Sequence, residues 1–303
     1  MAKKILITGG TGLVATYLTK KLIEKGYKVA HLSRNKNVSN EQVETYFWDV
    51  KNKQIDEHCI DDVDAIVHLA GAGIADERWT EKRKALIIKS RTESISLIYE
   101  LMRKRPNKIQ SVISASGSGY YSDRGDTLLT ENEPPKDDFI SQCCVLWEEA
   151  IDKGQQLGLR TVKLRTGLVL DKKRGALPKM ALPIKFGLGA ALGDGKQWVS
   201  WIHITDVADM YIHAIENENL SGAYNMSSPQ PITNKALNKA IAGTLNKPLW
   251  LPNIPKTALK LVLGELSTVL LGSTKMDIKK IQDTGFRFNF PEINAALKDI
   301  YGR

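Results

Sequence analysis

A glycine-rich turn near the N-terminus constrains the fold of this chain more than any other feature. The preceding segment, KKILIT, is a short run of aliphatic and β-branched residues, which predicts a buried strand over residues 3–8. Apolar side chains then recur at helical spacing from Leu13, and Gly26 ends this predicted helix. Between the two elements stands the tetrapeptide GGTG, residues 9–12. A strand, a tight glycine turn and a helix in this order predict a site that binds phosphate groups at the helix N-terminus.

The spacing within the turn is typical of dinucleotide binding. Gly9 permits the tight turn, Gly12 leaves room for the backbone to approach a pyrophosphate, and Ala15 allows close packing of helix on strand. A plain strand-to-helix turn is the alternative. The residues predicted to contact the cofactor here are Gly9, Thr11, Gly12, Leu13 and Val14.

Strand and helix patterns continue to alternate through the first half of the chain. Further strands are predicted over residues 27–32, 45–48, 65–69, 111–116 and 160–164, and helices over residues 81–104 and 138–157. This alternation predicts an α/β fold with a doubly wound parallel sheet, a Rossmann fold, which binds ligands at the carboxyl ends of its strands. We expect a cofactor-binding domain over residues 1–166. Residues 167–303 should form a smaller, mixed substrate lobe with some segments returning to the sheet.

The end of the second predicted strand bears on cofactor choice. NAD-specific proteins usually place an acidic residue there to bind the ribose 2′-hydroxyl. This chain has Ser33 and Arg34 instead, and a guanidinium suits a 2′-phosphate. The sequence therefore favours NADP(H) over NAD(H), unless Arg34 contacts only solvent.

Composition narrows the possible partners. The net charge is +9, but the basic residues are scattered and form no nucleic-acid motif, so we expect no nucleic-acid partner. The most apolar stretch, residues 258–271, is interrupted by Lys260, Gly264 and Glu265 and predicts a core or interface helix rather than a membrane span. Three cysteines without a CxxC pair favour a reduced cytoplasm and no metal. A small-molecule substrate and a monomer or homodimer are expected.

With these residues placed, the chain resembles the extended short-chain dehydrogenase/reductases. More narrowly, it resembles an atypical subgroup similar to NAD-dependent epimerases/dehydratases and nucleoside-diphosphate-sugar epimerases, with a C-terminal extension. The segments that carry the resemblance are ILITGGTGLV, HLAGAGI, KSRTES, SASGSGYYSDRGD, LRTGLVLDKKRGAL, GLGAALGDGKQWVSWIHITD and GFRFNFPEINAAL. They extend over almost the whole chain.

The resemblance implies further cofactor contacts. Leu69, Ala70 and Gly71 should pass along the cofactor's ribose-phosphate side, and Asp49 matches a position that contacts adenine. Arg91 should approach the cofactor, although an ion pair on the helix surface is the alternative.

The resemblance also implies a catalytic Ser or Thr and a Tyr-x-x-x-Lys pair, and the pair is absent. Aligning Glu148 with the acidic residue that usually follows it places Ile140 at the Tyr position and Cys144 at the Lys position. Neither side chain can carry out the usual proton transfer. Cys144 could be a reactive thiol or a small buried residue. Glu148 could be a base, or it could have a helix-surface or ribose-side role.

Other candidates for catalysis lie near the end of the fifth predicted strand. Ser116 ends this strand and is favoured over Ser114 as the residue that polarises the substrate oxygen. Tyr120 and Tyr121 follow, and either could face the nicotinamide, although Tyr121 matches a position that is usually structural or in contact with substrate.

The substrate lobe offers three candidate contacts. Arg165 ends the sixth predicted strand, Lys196 lies in a glycine-rich loop, and Trp201 follows it. Packing between lobes is the alternative for the tryptophan. These features predict an NADP(H)-dependent oxidoreductase or epimerase acting on a sugar-nucleotide-like or other small anionic substrate. The missing Tyr-Lys pair leaves open a cofactor-binding regulatory or sensor protein without hydride transfer.

Overall fold

A computed structural model of the 303-residue chain describes residues 2–35 and 42–302. The strands within these residues are β1 (Lys4–Thr8), β2 (Lys28–Ser33), β3 (Val43–Asp49), β4 (Gln54–Ile55), β5 (Ala65–His68), β6 (Ser111–Gly117), β7 (Leu128–Leu129), β8 (Arg160–Thr166), β9 (Leu168–Leu170), β10 (Trp198–Val199), β11 (Trp201–His203), β12 (Gly222–Met226), β13 (Ile232–Thr233) and β14 (Lys275–Met276).

The helices connect these strands and build the C-terminal lobe. They are α1 (Leu13–Glu24), α2 (Glu81–Lys104), α3 (Phe139–Asp152), α4 (Ala176–Lys185), α5 (Ile204–Glu216), α6 (Asn234–Thr244), α7 (Lys256–Leu263), α8 (Ser267–Leu271), α9 (Lys279–Gln282) and α10 (Ile293–Tyr301). Short 3₁₀ turns also occur at Glu57–Ile60, Ser118–Tyr120, Lys153–Leu157 and Gly264–Leu266.

An eight-stranded sheet forms the centre of the described structure. Its strand order is β12-β8-β6-β5-β1-β2-β3-β4, and every pair is parallel except β3 with the edge strand β4. The strand order reverses direction between β1 and β5, the position where a doubly wound sheet opens a crevice for ligands. The predicted Rossmann-type α/β fold is confirmed.

Helices cover both faces of this sheet because its central strands are apolar on both sides. Ile5 and Ile7 of β1 point toward the face covered by α1 and α5, whereas Leu6 points toward α2 and α3. Successive side chains of a strand alternate between faces, so the run ILI supplies both cores at once. Burying each of these apolar side chains stabilises the folded state by roughly 1.5–3 kcal/mol.

The second half of the chain contributes both to the main sheet with its covering helices and to a separate apolar core. Strand β12 joins the main sheet beside β8, and α5 packs against α1. Outside the sheet, α4, α6 and α10 enclose a separate apolar core around Trp201 and Leu237. The expected boundary at residue 166 stays a prediction.

Two helical predictions differ from the structure. The helix expected over residues 138–157 ends as an α-helix at Asp152 and continues as a 3₁₀ turn, closed by Gly158 at φ +75°. The stretch 258–271 is divided at Gly264, whose φ is +60°, and no residue of α7 is buried. Over residues 2–35 and 42–302, no helix is long and apolar enough to cross a membrane.

Candidate cofactor and active site

The glycine turn lies at the carboxyl end of β1, at the crevice of the sheet. Gly9 has φ +70°, and a Cβ on it would approach the Leu69 carbonyl oxygen to 3.0 Å. The Gly12 N–H donates to the Gly9 carbonyl at 2.8 Å and closes the turn. Gly12 is the N-cap of α1 and provides no side-chain acceptor, so the first N–H groups of the helix remain available to an anion. Leu13 and Val14 form the first turn of this helix.

A buried polar network holds the neighbouring loop in place. The Thr8 hydroxyl accepts hydrogen bonds from the N–H groups of Leu69 and Ala70, both at 3.0 Å. Its own proton is then directed to His68 Nδ1, also at 3.0 Å. This assigns the imidazole proton to Nε2, which donates to the Arg91 carbonyl at 3.3 Å. Burial lowers the pKa of His68 to about 4, so the ring is neutral at pH 7.

Arg91 brings a positive charge to the same loop. Its side chain is 6% exposed, and its guanidinium carbon lies 3.1 Å from the position of a Cβ on Gly71. The group stacks on the Trp147 ring and donates to the Ile87 carbonyl, but its Nε has no partner among the described residues. No carboxylate of the described chain lies within ion-pair distance of it. A buried charge without a counter-ion is costly, so the position beside Gly71 suits an anionic or polar ligand.

The residues predicted to contact the adenosine side of the cofactor, Ser33, Arg34 and Asp49, lie at the ends of β2 and β3. The Ser33 hydroxyl accepts a hydrogen bond from the Asn35 N–H, and the Arg34 side chain is exposed. Asp49, in the last position of β3, accepts from both the backbone and the side chain of Asn52. Ser33 and Arg34 thus lie at the carboxyl edge of the sheet, on the same edge as the glycine turn.

Ser116 belongs to a buried network at the ends of β6 and β8. It stands opposite Arg165 in the strand register, and its hydroxyl donates to Glu148 Oε1 at 2.7 Å. Arg165 binds both carboxylate oxygens of Glu148, at 2.8 and 2.9 Å. Burial acts against the charge of Arg165, but the hydrogen bonds and charge of Glu148 raise its pKa above the ordinary value. Because its single proton points to Glu148, Ser116 presents acceptor lone pairs to its other neighbours.

The two tyrosines occupy different positions around Arg165. Tyr121 is fully buried, donates to Asn225 Oδ1 at 2.6 Å and accepts from Arg165 Nη1 at 3.0 Å. Burial raises its pKa to about 12. Tyr120 is half-buried, and the Arg165 guanidinium carbon lies 3.4 Å from the centre of its ring. Its hydroxyl makes no hydrogen bond within the described part of the chain, so it is the tyrosine available to a ligand.

Ile140 and Cys144, the residues predicted to stand at the positions of the absent pair, are both buried on α3. Ile140 contacts the backbone at Gly119, where a Cβ would collide with its side chain, and the Cys144 sulfur lies nearby. Cys144 is buried, and burial raises its pKa to about 12, so the thiol stays protonated at neutral pH. The hypothesis of a reactive thiol therefore has no support from its surroundings.

The three predicted substrate contacts lie in different surroundings. Arg165 is buried and paired with Glu148, as described above. Lys196 is exposed in the loop between α4 and β10. Trp201 is fully buried in the core of the lobe, where its Nε1 donates to the Gln230 carbonyl at 2.9 Å. Its ring faces other side chains rather than solvent, and a substrate role for it stays a prediction.

Sequence reasoning missed three features of this site. It identified Glu148 and Arg165 separately but not their pairing, and it did not identify Asn225 or the Thr8–His68 hydrogen bond. Polar residues inside apolar strands were the available signal, because buried polar groups need partners. The sequence does not tell which partner each will find.

Residues 5–227 match the NAD dependent epimerase/dehydratase family, and residues 254–300 match a domain of unknown function (DUF1731). The chain is 36% identical to the epimerase family protein YfhF of Bacillus subtilis, over 98% of this chain and 97% of that one. It is 34% identical to the epimerase family protein SA0724 of Staphylococcus aureus, over 98% and 99%.

Solved structures agree with this assignment. The human epimerase family protein SDR39U1, crystallised with NADPH, superposes with a TM-score of 0.86 at 29% identity, over 99% of each chain. UDP-glucose 4-epimerase of Thermus thermophilus, solved with NAD, shares the fold at a TM-score of 0.74 and 18% identity, over 99% of each chain. The glycine turn, the parallel sheet and these matches together show that the chain belongs to the NAD-dependent epimerase/dehydratase family, as an extended short-chain dehydrogenase/reductase.

Proposed function

We propose that this protein is an NADP(H)-dependent oxidoreductase or epimerase that acts on a sugar-nucleotide-like or other small anionic substrate. The observation that carries the proposal is the buried guanidinium of Arg91, which lies beside Gly71 and has no anionic partner of its own. Together with the open N-terminus of α1, it provides positive charge where the fold places a dinucleotide. The residues present therefore fit a bound nicotinamide cofactor.

The choice of NADP(H) rests on the end of β2. Arg34 is exposed there and no acidic residue occupies the position that binds a ribose 2′-hydroxyl in NAD-specific proteins. A 2′-phosphate would accept charge-assisted hydrogen bonds from the guanidinium. The NADPH bound to the human relative, which is similar over 99% of its length, supports the same choice.

The catalytic groups differ from the usual set. When bound, the cofactor supplies or accepts a hydride. Ser116 is oriented by Glu148 and Arg165, so its oxygen accepts a hydrogen bond from a substrate hydroxyl. Tyr120 presents the phenol that makes no hydrogen bond within the described residues, and the Arg165 guanidinium lies over its ring. We assign proton exchange with the substrate oxygen to Tyr120, and we assign Tyr121 to holding Arg165.

A second candidate function is a cofactor-binding sensor without turnover. It is favoured by α3, where Ile140 and Cys144 stand in the places of the usual tyrosine and lysine. Ile140 has no ionisable group, and burial keeps the Cys144 thiol protonated, so neither exchanges protons with a substrate at neutral pH. Cofactor binding is common to both candidates, and only turnover separates them.

The cofactor assignment is tested by fluorescence titration of the full-length protein with NADPH and NADH. The wild type should bind NADPH about tenfold or more tightly, and Arg34→Gln should remove most of this difference, because a charge-assisted hydrogen bond contributes about 1.5–3 kcal/mol. Lys28→Gln, which removes an exposed charge at the opposite end of β2, is the matched control. Equal binding of NADH by the wild type would show that Arg34 does not read a 2′-phosphate.

The enzyme assignment is tested by NADPH oxidation and NADP⁺ reduction over a panel of carbonyls, alcohols and sugar nucleotides. An enzyme should turn over one of them at about 1 s⁻¹ or faster. Tyr120→Phe should then lower kcat by about a hundredfold with little change in NADPH binding, because it removes one hydroxyl from the surface of the site. Tight cofactor binding without turnover of any compound would favour the sensor.

A further inference from the structure

A basic loop from the C-terminal half lies directly on the glycine turn. It follows β9 and carries Lys172, Lys173 and Arg174, all exposed. Arg174 Nη1 donates to the Thr11 carbonyl at 2.8 Å, so its guanidinium is already held at the tip of the turn. This contact links residues that are 163 positions apart in the chain.

The loop is anchored on both sides of this contact. Before it, Asp171 accepts from the Tyr17 hydroxyl of α1 at 2.7 Å and from the N–H groups of Lys173 and Arg174. After it, the Cβ position of Gly175 lies 3.7 Å from a Leu13 methyl group. The loop therefore rests on the first two turns of the helix whose N-terminus would face the phosphates.

The charges of this loop indicate what kind of ligand it could bind. Three basic side chains and one carboxylate, Asp171, give the loop a net positive charge, and both oxygens of that carboxylate are occupied. Helix α4 begins directly after the loop, and its N-cap Gly175 supplies no side-chain acceptor. The positive loop is thus brought beside a second positive feature, the N-terminus of α1, and an anion between them would relieve the repulsion.

We propose that Arg174, held at the tip of the glycine turn, binds the cofactor's pyrophosphate, so that the substrate lobe contributes a residue to the dinucleotide site. The proposal rests on the proposed function, since it assumes that a dinucleotide occupies the crevice. The pyrophosphate is the group assigned because Arg174 contacts Thr11 in the glycine turn. A 2′-phosphate would lie instead at the end of β2, beside Arg34.

The two arginines therefore have distinguishable effects. NADPH and NADH share the pyrophosphate but differ in the 2′-phosphate, so removing Arg174 should weaken both cofactors by the same factor, whereas removing Arg34 should weaken only NADPH. Binding of each cofactor to full-length Arg174→Gln is measured by calorimetry. We expect about tenfold weaker binding of both, with a smaller loss at high salt, and a partial recovery in Arg174→Lys.

Lys239→Gln is the matched control, because it removes one exposed positive charge on α6, outside the loop and the crevice. Unfolding midpoints of all variants check that the fold is retained. A loss confined to NADPH, or no loss beyond that of the control, would overturn the proposal while leaving the proposed function intact. If the wild type binds neither cofactor, the proposed function itself fails, and this role of Arg174 fails with it.

Discussion

Because His68 is buried beside the candidate cofactor loop, we expect the free energy of unfolding to depend on pH. The ring is fully buried and neutral, and its pKa falls from 6.5 to about 4 because burial disfavours the charged form. In the unfolded chain it would titrate near 6.5. The unfolded state therefore binds more protons between these two values, so this contribution is fully present above pH 6.5 and is lost as the pH falls toward 4.

The expected magnitude follows from the two pKa values. Between pH 7 and pH 5 the single histidine should lower the free energy of unfolding by about 2 kcal/mol, and by up to about 3 kcal/mol once the pH is below 4. His68→Gln removes the titrating group, so its stability should change less over the same range. Protonation of His68 is reported by how steeply the free energy of unfolding changes with pH in the wild type compared with the variant. The stability of either protein at pH 7 alone does not report it.

Urea unfolding at pH 7.0, 6.0 and 5.0 measures this difference. His58→Gln is the matched control, because His58 is exposed and, among the residues that the structure describes, forms an ion pair with Asp61 alone, so this variant should keep the steep loss of stability between pH 7 and pH 5. The reasoning is refuted if His68→Gln loses as much stability between pH 7 and pH 5 as the wild type. A second consequence concerns binding: NADPH should protect the wild type more at pH 7 than at pH 5, because a charged His68 would disturb the loop that starts at Leu69.

Two further predictions concern the carboxylate network and the glycine turn. Glu148→Gln should lower the free energy of unfolding by about 3 kcal/mol, measured by urea unfolding, because it leaves the buried Arg165 without its counter-ion. Gly9→Ala should weaken NADPH binding about tenfold or more by titration, because its Cβ would press on the Leu69 carbonyl and its φ is +70°. The matched controls, each expected to have a much smaller effect, are Glu149→Gln on the exposed face of α3 and Gly26→Ala, whose φ is +83° with no atom nearby. Wild-type behaviour in Glu148→Gln or Gly9→Ala would contradict these assignments.

The sheet was predictable because its signals are local. Short apolar runs that end in Gly or Ser gave β1, β5 and β6 to within about a residue, and helical spacing gave both ends of α2. Strand β12 was not predictable in the same way. Its sequence GAYNM has little β-branched character, and it enters the sheet only because β8 presents a free edge to it.

The candidate cofactor site leaves a clearer signal in the sequence than the candidate catalytic site, for a physical reason. Binding of a dinucleotide relies on backbone N–H groups and on residues that must be small, and both leave a short motif in the sequence. Arg174 has no such motif. It reaches the glycine turn through a contact that depends on how β9 and α4 lie against α1, which no local pattern records.

The buried pairing of Glu148 with Arg165 holds a positive charge at the end of β8. The resemblance to the extended short-chain dehydrogenase/reductases implies a lysine that would hold such a charge near the reacting oxygen, and in the proposed mechanism Arg165 takes its place. Glu148 orients Arg165 so that Tyr120 lies against its face, and Ser116 donates to the same carboxylate. Within the described residues, Arg165 donates four hydrogen bonds and lies over the rings of Tyr120 and Tyr121. Because it stays charged, it supplies a fixed positive charge without moving a proton itself. In the proposed mechanism, proton exchange is assigned to Tyr120, because its hydroxyl makes no hydrogen bond within the described residues whereas Tyr121 and Ser116 are already bonded. Replacing Tyr120 is therefore the test that separates an enzyme from a sensor.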